Sequence, residues 1–172
     1  GGPSIQGQGK YFIDAGHSTT IYNGEAVKIS SGYVVGGQGS AADIVGVLNG
    51  IFFNAADTLK PTFSNFYKAT ITPANSEDTV AFVMDDPFQQ YVVSSDDART
   101  QAQFLATYDM NTSAGSDTTG KSSATLDTSV TDADGKQFRL IRSAEDPENE
   151  DITAAFFSGI VVSNLNSYNG HN

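Results

Sequence analysis

Residues 24–53 read GEAVKISSGYVVGGQGSAADIVGVLNGIFF, and this stretch decides the fold class. Glu25–Ile29 alternates, with Glu25, Val27 and Ile29 on one side and Ala26 and Lys28 on the other, the period of a half-buried strand. Ser30-Ser31-Gly32 turns the chain, and Tyr33–Val35 runs back beside it. A glycine-rich tract at 36–40 leads to Ile44–Leu48, whose β-branched run is broken by Gly46. A glycine there marks a bulge or a backbone passing close by. Asn49-Gly50 is the strongest turn dipeptide of the chain and predicts a fresh strand at Ile51–Phe53. Apart from Glu25, which has no evident partner in the sequence, nothing here can do acid–base or nucleophilic work at neutral pH. The stretch predicts a surface built from short strands.

Composition agrees with that expectation. The 172 residues suit one domain, and a chain of this length buries roughly 70% of its unfolded surface. It holds no cysteine, so neither a disulfide framework nor a thiolate metal site is open to it. Twenty Asp and Glu against nine Lys and Arg give a net charge of −11, which disfavours direct binding to nucleic acid. No apolar run approaches the length of a membrane span, and no basic-then-apolar leader opens the chain. Seventeen glycines with no tryptophan suit an all-β chain of many turns better than a helical one.

Taken in order, residues 1–10 form a polar, glycine-rich arm and Tyr11–Ile13 a first strand. His17 reads as a turn histidine. Phe63, Phe66 and Tyr67 make an aromatic patch that suits either core packing or an exposed docking surface. Lys68–Thr72 resumes strand character. Val80–Met84 is almost wholly apolar, as in a strand covered on both faces, with Gln89–Ser94 as its hairpin partner. Asp85-Asp86-Pro87 between them reads as a turn rather than as a cation site or a carboxylate dyad. Residues 96–100 suggest one helical turn and Gln103–Tyr108 another strand. Residues 109–123 form a polar tongue. Within it, Gly115 to Ser122 matches the letters of a phosphate loop, G-x-x-x-x-G-K-S. A true phosphate loop leaves a buried strand and opens a helix, and the flanking residues here do neither. Residues 131–135 end in an Asp-Gly turn, and Gln137–Arg142 alternates as a strand. Glu145–Asp151 (EDPENED) is an acidic, solvated loop. Ala154–Val162 is the last strand, with a bulge at Gly159, and 163–172 is a polar tail. Roughly ten short strands at regular spacing predict an antiparallel β-sandwich or barrel, jelly-roll-like or β-tulip-like, as one β domain over 11–162.

The order of several short motifs resembles the structural proteins of tailed-phage virions. These are Gly24-Glu25-Ala26-Val27-Lys28, Val45-Gly46-Val47, Pro61-Thr62-Phe63-Ser64, and Val80-Ala81-Phe82-Val83 followed by Asp85-Asp86-Pro87. Thr119-Gly120-Lys121-Ser122-Ser123-Ala124-Thr125-Leu126-Asp127 and a C-terminal strand with a polar, histidine-containing tail continue the likeness. The first half is also similar to the small β-rich head decoration, or cement, proteins. The resemblance spans Tyr11 to Val162 and rests on motif order. It implies a non-enzymatic protein of the capsid exterior that binds the major capsid protein lattice, as a homo-oligomer with a trimer favoured. It implies no cofactor, no metal, no direct nucleic-acid contact and no membrane partner. The candidate capsid contacts are Gln6, Gln8 and Lys10 of the arm and Tyr11 of the first strand, with Phe63, Phe66 and Tyr67 of the aromatic patch. The arm, the tongue and the tail are the segments expected to reach neighbouring subunits.

A different class of function also fits the composition. A carbohydrate-binding jelly-roll on a virion fibre or knob would use exposed aromatic rings, for which Tyr22, Tyr91, Tyr108 and Tyr168 are the candidates. A hydrolase built on acidic residues lacks a paired carboxylate constellation outside turns.

Overall fold

A computed structural model describes residues 7–39, 43–127, 129 and 135–168. The chain divides into two compact units. The first takes the chain up to Gly37, then Val45–Asp86 and Gly115–Ser122. The second takes Gln38–Ile44, Pro87–Ala114 and the chain from Ser123 onward.

Unit 1 carries six strands: β1 (Gly9–Ile13), β2 (Ala26–Ser30), β3 (Tyr33–Gly36), β4 (Gly46–Asn54), β5 (Pro61–Ser64) and β6 (Thr79–Met84). Every pairing is antiparallel, in the order β1-β6-β4-β2-β3, and β5 pairs with the C-terminal half of β4. The end strands β1 and β3 approach one another without pairing, so the sheet curls towards a barrel and stays open. Inside the curl lie Ile13, Val27, Val34, Leu48, Ile51, Tyr67, Ala81 and Val83. Each such side chain contributes roughly 1.5–3 kcal/mol by leaving water.

Unit 2 carries β7 (Gln90–Ser94), β8 (Thr107–Tyr108), β9 (Phe138–Ser143) and β10 (Ser158–Ser163) in the antiparallel order β7-β10-β9-β8. Its buried side chains include Tyr108, Met110, Leu126, Phe138, Leu140, Phe157 and Val161. The expected all-β, antiparallel class holds, and neither sheet closes on itself.

Several local expectations change. Asn49-Gly50 makes no hairpin, because β4 runs straight through it. The register against β6 slips by one residue between Leu48 and Gly50, so the dipeptide supplies a bulge. Gly46 is a close approach: a Cβ there would run into the carbonyl of Met84. Val80–Met84 pairs with β1 and β4, not with Gln89–Ser94. Asp85-Asp86-Pro87 therefore ends one unit and begins the other. Lys68–Thr72 forms no strand, and the predicted helical turn is a 3-10 turn at Gln101–Gln103 with a Thr100–Gln103 capping box. The last strand starts only at Ser158, and β1 already begins at Gly9, inside the expected arm. The tail is tied down as far as Tyr168, since Ile44 N–H donates to Leu165 O and Ser167 N–H to Ile44 O. The Asp-Gly turn at 131–135 lies outside the described residues, save Gly135.

Candidate functional site

Strand alternation sends every second side chain of β1, β6, β4 and β5 away from the core, and cross-strand register then lines them up. Phe12 on β1 stands opposite Val80 on β6, Val80 opposite Phe52 on β4, and Phe52 opposite Phe63 on β5. The result is one apolar row across four strands. A second row sets Lys10 opposite Phe82 opposite Gly50. The Phe52 and Phe63 rings meet at 4.9 Å, tilted by 51°, and Phe63 lies 6.4 Å from Phe82 at 13°. Lys10 Nζ sits 5.4 Å above the centre of the Phe12 ring.

This face is open to solvent. Phe63 is 73% exposed and Phe12 44%. In a chain with twenty carboxylates, the outward side chains of these strands (Lys10, Phe12, Val80, Phe82, Met84, Phe52, Phe63) include none. Apolar surface of this kind, kept free of charge and rimmed by polar groups, is what association surfaces present. Next to the row lies a cleft of about 370 Å³ lined by Gln8, Asn49, Gly50, Ile51, Phe63, Ser64, Asn65 and Phe82.

Of the residues singled out from sequence, Gln8, Lys10 and Phe63 meet on this face. Tyr11 points the other way, packs against the core and donates from its hydroxyl to Asp85 Oδ2 at 2.7 Å. Tyr67 is a correction: it is 1% exposed, bridged to Ile21, with its hydroxyl on His17 O at 2.8 Å, so no partner can reach it. Phe66 is half-buried and stacks on Tyr22 at 5.8 Å and 3°. Gln6 lies outside the described residues. Sequence reading missed Phe12, Phe52 and Phe82. Alternation along Lys10–Ile13 and Val80–Met84 carried the signal, but reading the latter as covered on both faces concealed it.

Other chemistry-bearing features have structural work. The Gly115–Ser122 loop spends its backbone N–H groups on its own unit: Ser116 donates to Lys121 O, Gly120 to Ser116 O and Ser122 to Asn23 O. Asp117 takes the Tyr22 hydroxyl at 2.8 Å and pairs with Lys68 at 3.2 Å, and no helix follows. These contacts clamp a tongue to the sheet where a phosphate loop would leave its donors free. In the acidic loop, Asp146 and Asp151 cap their own turns through Glu148 N–H and Thr153 N–H. Among the described residues no three His, Asp or Glu side chains converge as a metal site requires. Of the tyrosines considered for sugars, Tyr108 is buried and Tyr91 packs edge-on against Phe138, whereas Tyr168 is 55% exposed.

Two buried ionisable groups stand apart. Glu25, 7% exposed, accepts the Tyr22 N–H at 2.9 Å; burial pushes its carboxyl up to about 7, partly offset by that hydrogen bond. Arg99, 3% exposed, lies 4.2 Å over the Tyr108 ring with Nε and Nη2 unpartnered among the described residues, and burial lowers its pKa against the pull of Tyr108 and Asp96.

No family model matches the chain, and neither a curated protein nor a solved structure matches it.

Proposed function

We propose that this chain is a non-enzymatic virion structural protein, a decoration or cement protein of a tailed-phage head that docks on the outer capsid lattice through the aromatic face of unit 1. The observation that carries this reading is the row Phe12–Val80–Phe52–Phe63. Four strands hold it rigid, it is exposed at both ends, and it is free of carboxylates in a chain of net charge −11. A cement protein works by mass action, binding the assembled lattice and not dispersed subunits, and many copies multiply a modest interface. Such a role needs a stiff scaffold, and the curled sheet supplies one. The motif order described above points to the same class.

Co-sedimentation of the full chain with phage heads lacking it provides the test. Phe12→Ser with Phe63→Ser is expected to reduce head occupancy tenfold or more while leaving the circular dichroism melt in place. Removing residues 1–8, which stops short of β1, is expected to weaken attachment without unfolding unit 1. Occupancy unchanged in the double variant would contradict docking through this face.

A further inference from the structure

The cleft beside the aromatic row lies where β4 bulges at Asn49-Gly50. In the second row, Lys10 and Phe82 project outward, but their neighbour on β4 is Gly50, placed there by the Asn49 bulge. A Cβ at Gly50 would lie 3.2 Å from the carbonyl of Ser64, so the bulge brings β5 tight against β4 where a larger residue would hold it off. An open cleft of about 370 Å³ lies over this point, with Phe63, Phe82, Gly50 and Ile51 among its lining residues. That volume is near the small end of ligand pockets, roughly 300–1,000 Å³, and suits one large side chain.

We infer that this cleft receives a single aromatic or large aliphatic side chain from an extended, uncharged segment of the partner protein, with the carboxamides of Gln8 and Asn49 meeting that segment's backbone. This rests on the docking role proposed for the same face and identifies the chemistry of what docks. Charge selects the occupant. None of the eight lining residues is ionisable, in a chain where 17% of residues are charged. A charged group seated there would meet no counter-charge among the lining residues. A second copy of the chain is disfavoured because each copy carries −11. The two phenyl rings offer an apolar side chain a matching surface, and the glucoside arm of the test separates that occupant from a sugar. A cleft that seats one anchor side chain of a partner is also where binding energy concentrates in protein interfaces.

The test is a ¹⁵N–¹H titration of the full chain with N-acetyl-L-tryptophanamide, and separately with methyl β-D-glucopyranoside. The amide is expected to give saturable shifts at the Gly50, Ser64 and Asn65 N–H groups, with affinity falling at least tenfold in Phe63→Ala and severalfold in Gln8→Ala. The fold of both variants is checked by the unshifted signals of β2 and β3. Absence of saturable shifts, equal affinity in Phe63→Ala, or shifts produced by the glucoside instead would overturn the inference. So would a self-association that Phe63→Ala abolishes. If Phe12→Ser still reduces head occupancy while the amide fails to bind, the cleft falls and the docking face stands. If the amide binds but occupancy is indifferent to Phe12→Ser, the face falls and the cleft remains a side-chain site.

Discussion

The two sheets turn different faces to solvent, and the contrast is one of charge. On unit 2, Val92 on β7 stands opposite Ile160 on β10, which stands opposite Arg142 on β9; beside them Gln90, Val162 and Arg139 form the next row. Val92 is 69% exposed, nearly as much as Phe63. There, however, apolar residues share the face with two arginines. Arg139 donates to Leu105 O and, at 3.0 Å, to Asn164 Oδ1, and Arg142 lies 3.8 Å from Glu145. On unit 1 the corresponding positions are phenylalanines with one lysine. Charged side chains share the first surface, whereas the second carries phenylalanines and one lysine, the face proposed above for docking.

Several substitutions would break or sharpen this contrast. The largest effect is expected from Gly46→Val, which drives a side chain into the Met84 carbonyl at the β4–β6 seam that carries Phe52 and Phe82. A loss of more than about 4 kcal/mol, read as collapse of amide protection in β4 and β6, is the expected outcome. Ile51→Ala, beneath the aromatic row, is expected to cost about 2–5 kcal/mol in a denaturant titration.

Glu25 gives unit 1 a pH signature. Its folded pKa of about 7 exceeds the ordinary 4.5, so the folded state holds the proton more tightly. The stability this provides is complete below about pH 4.5 and is lost as pH rises to about 7, a change of roughly 3 kcal/mol. Glu25→Gln is expected to abolish that slope while keeping an acceptor for the Tyr22 N–H, so the variant melts above the parent at pH 8 and level with it at pH 4. A parent whose stability is flat from pH 4 to 8 would show that the carboxyl is not buried as described.

Arg99 is the matching feature of unit 2. Two of its guanidinium nitrogens are buried without partners among the described residues, so Arg99→Met is expected to hold stability within about 1 kcal/mol of the parent, because it removes desolvated donors and keeps the stem's packing over Tyr108. A much larger loss would show that the charge is compensated. The smallest stability effect belongs to the exposed faces: Phe63→Ser and Val92→Ser should each change unfolding free energy by less than about 0.5 kcal/mol.

Much of the fold was legible because period-2 alternation survives in Phe138–Ser143, where one face is buried, and because Ser31-Gly32 turns Ala26–Ser30 back onto Tyr33–Gly36 as expected. Legibility failed where tertiary pairing outweighed local turn chemistry. Asn49-Gly50 has every local reason to reverse the chain, yet β6 pairs with β4 on both sides of it and absorbs the extra residue as a bulge. The same happened after Met84, where proximity in sequence suggested a hairpin and the chain instead passed to the other unit. Half of the aromatic face was visible in Gln8, Lys10 and Phe63. Its other half was hidden in Phe12, Phe52 and Phe82, because a phenylalanine facing solvent looks the same in sequence as one facing the core. Tyr67 shows the converse, a ring that suited either core or surface in the sequence and that its pairing with Ile21 turns inward.

The most direct test sets the two faces against each other in one measurement: occupancy on phage heads of the parent, of Phe12→Ser with Phe63→Ser, and of Val92→Ser. Docking through the aromatic face predicts that the first variant loses at least nine-tenths of parental occupancy at equal protein concentration (about 1.4 kcal/mol or more) while Val92→Ser keeps its own. Equal retention by both variants, or loss confined to Val92→Ser, would contradict it.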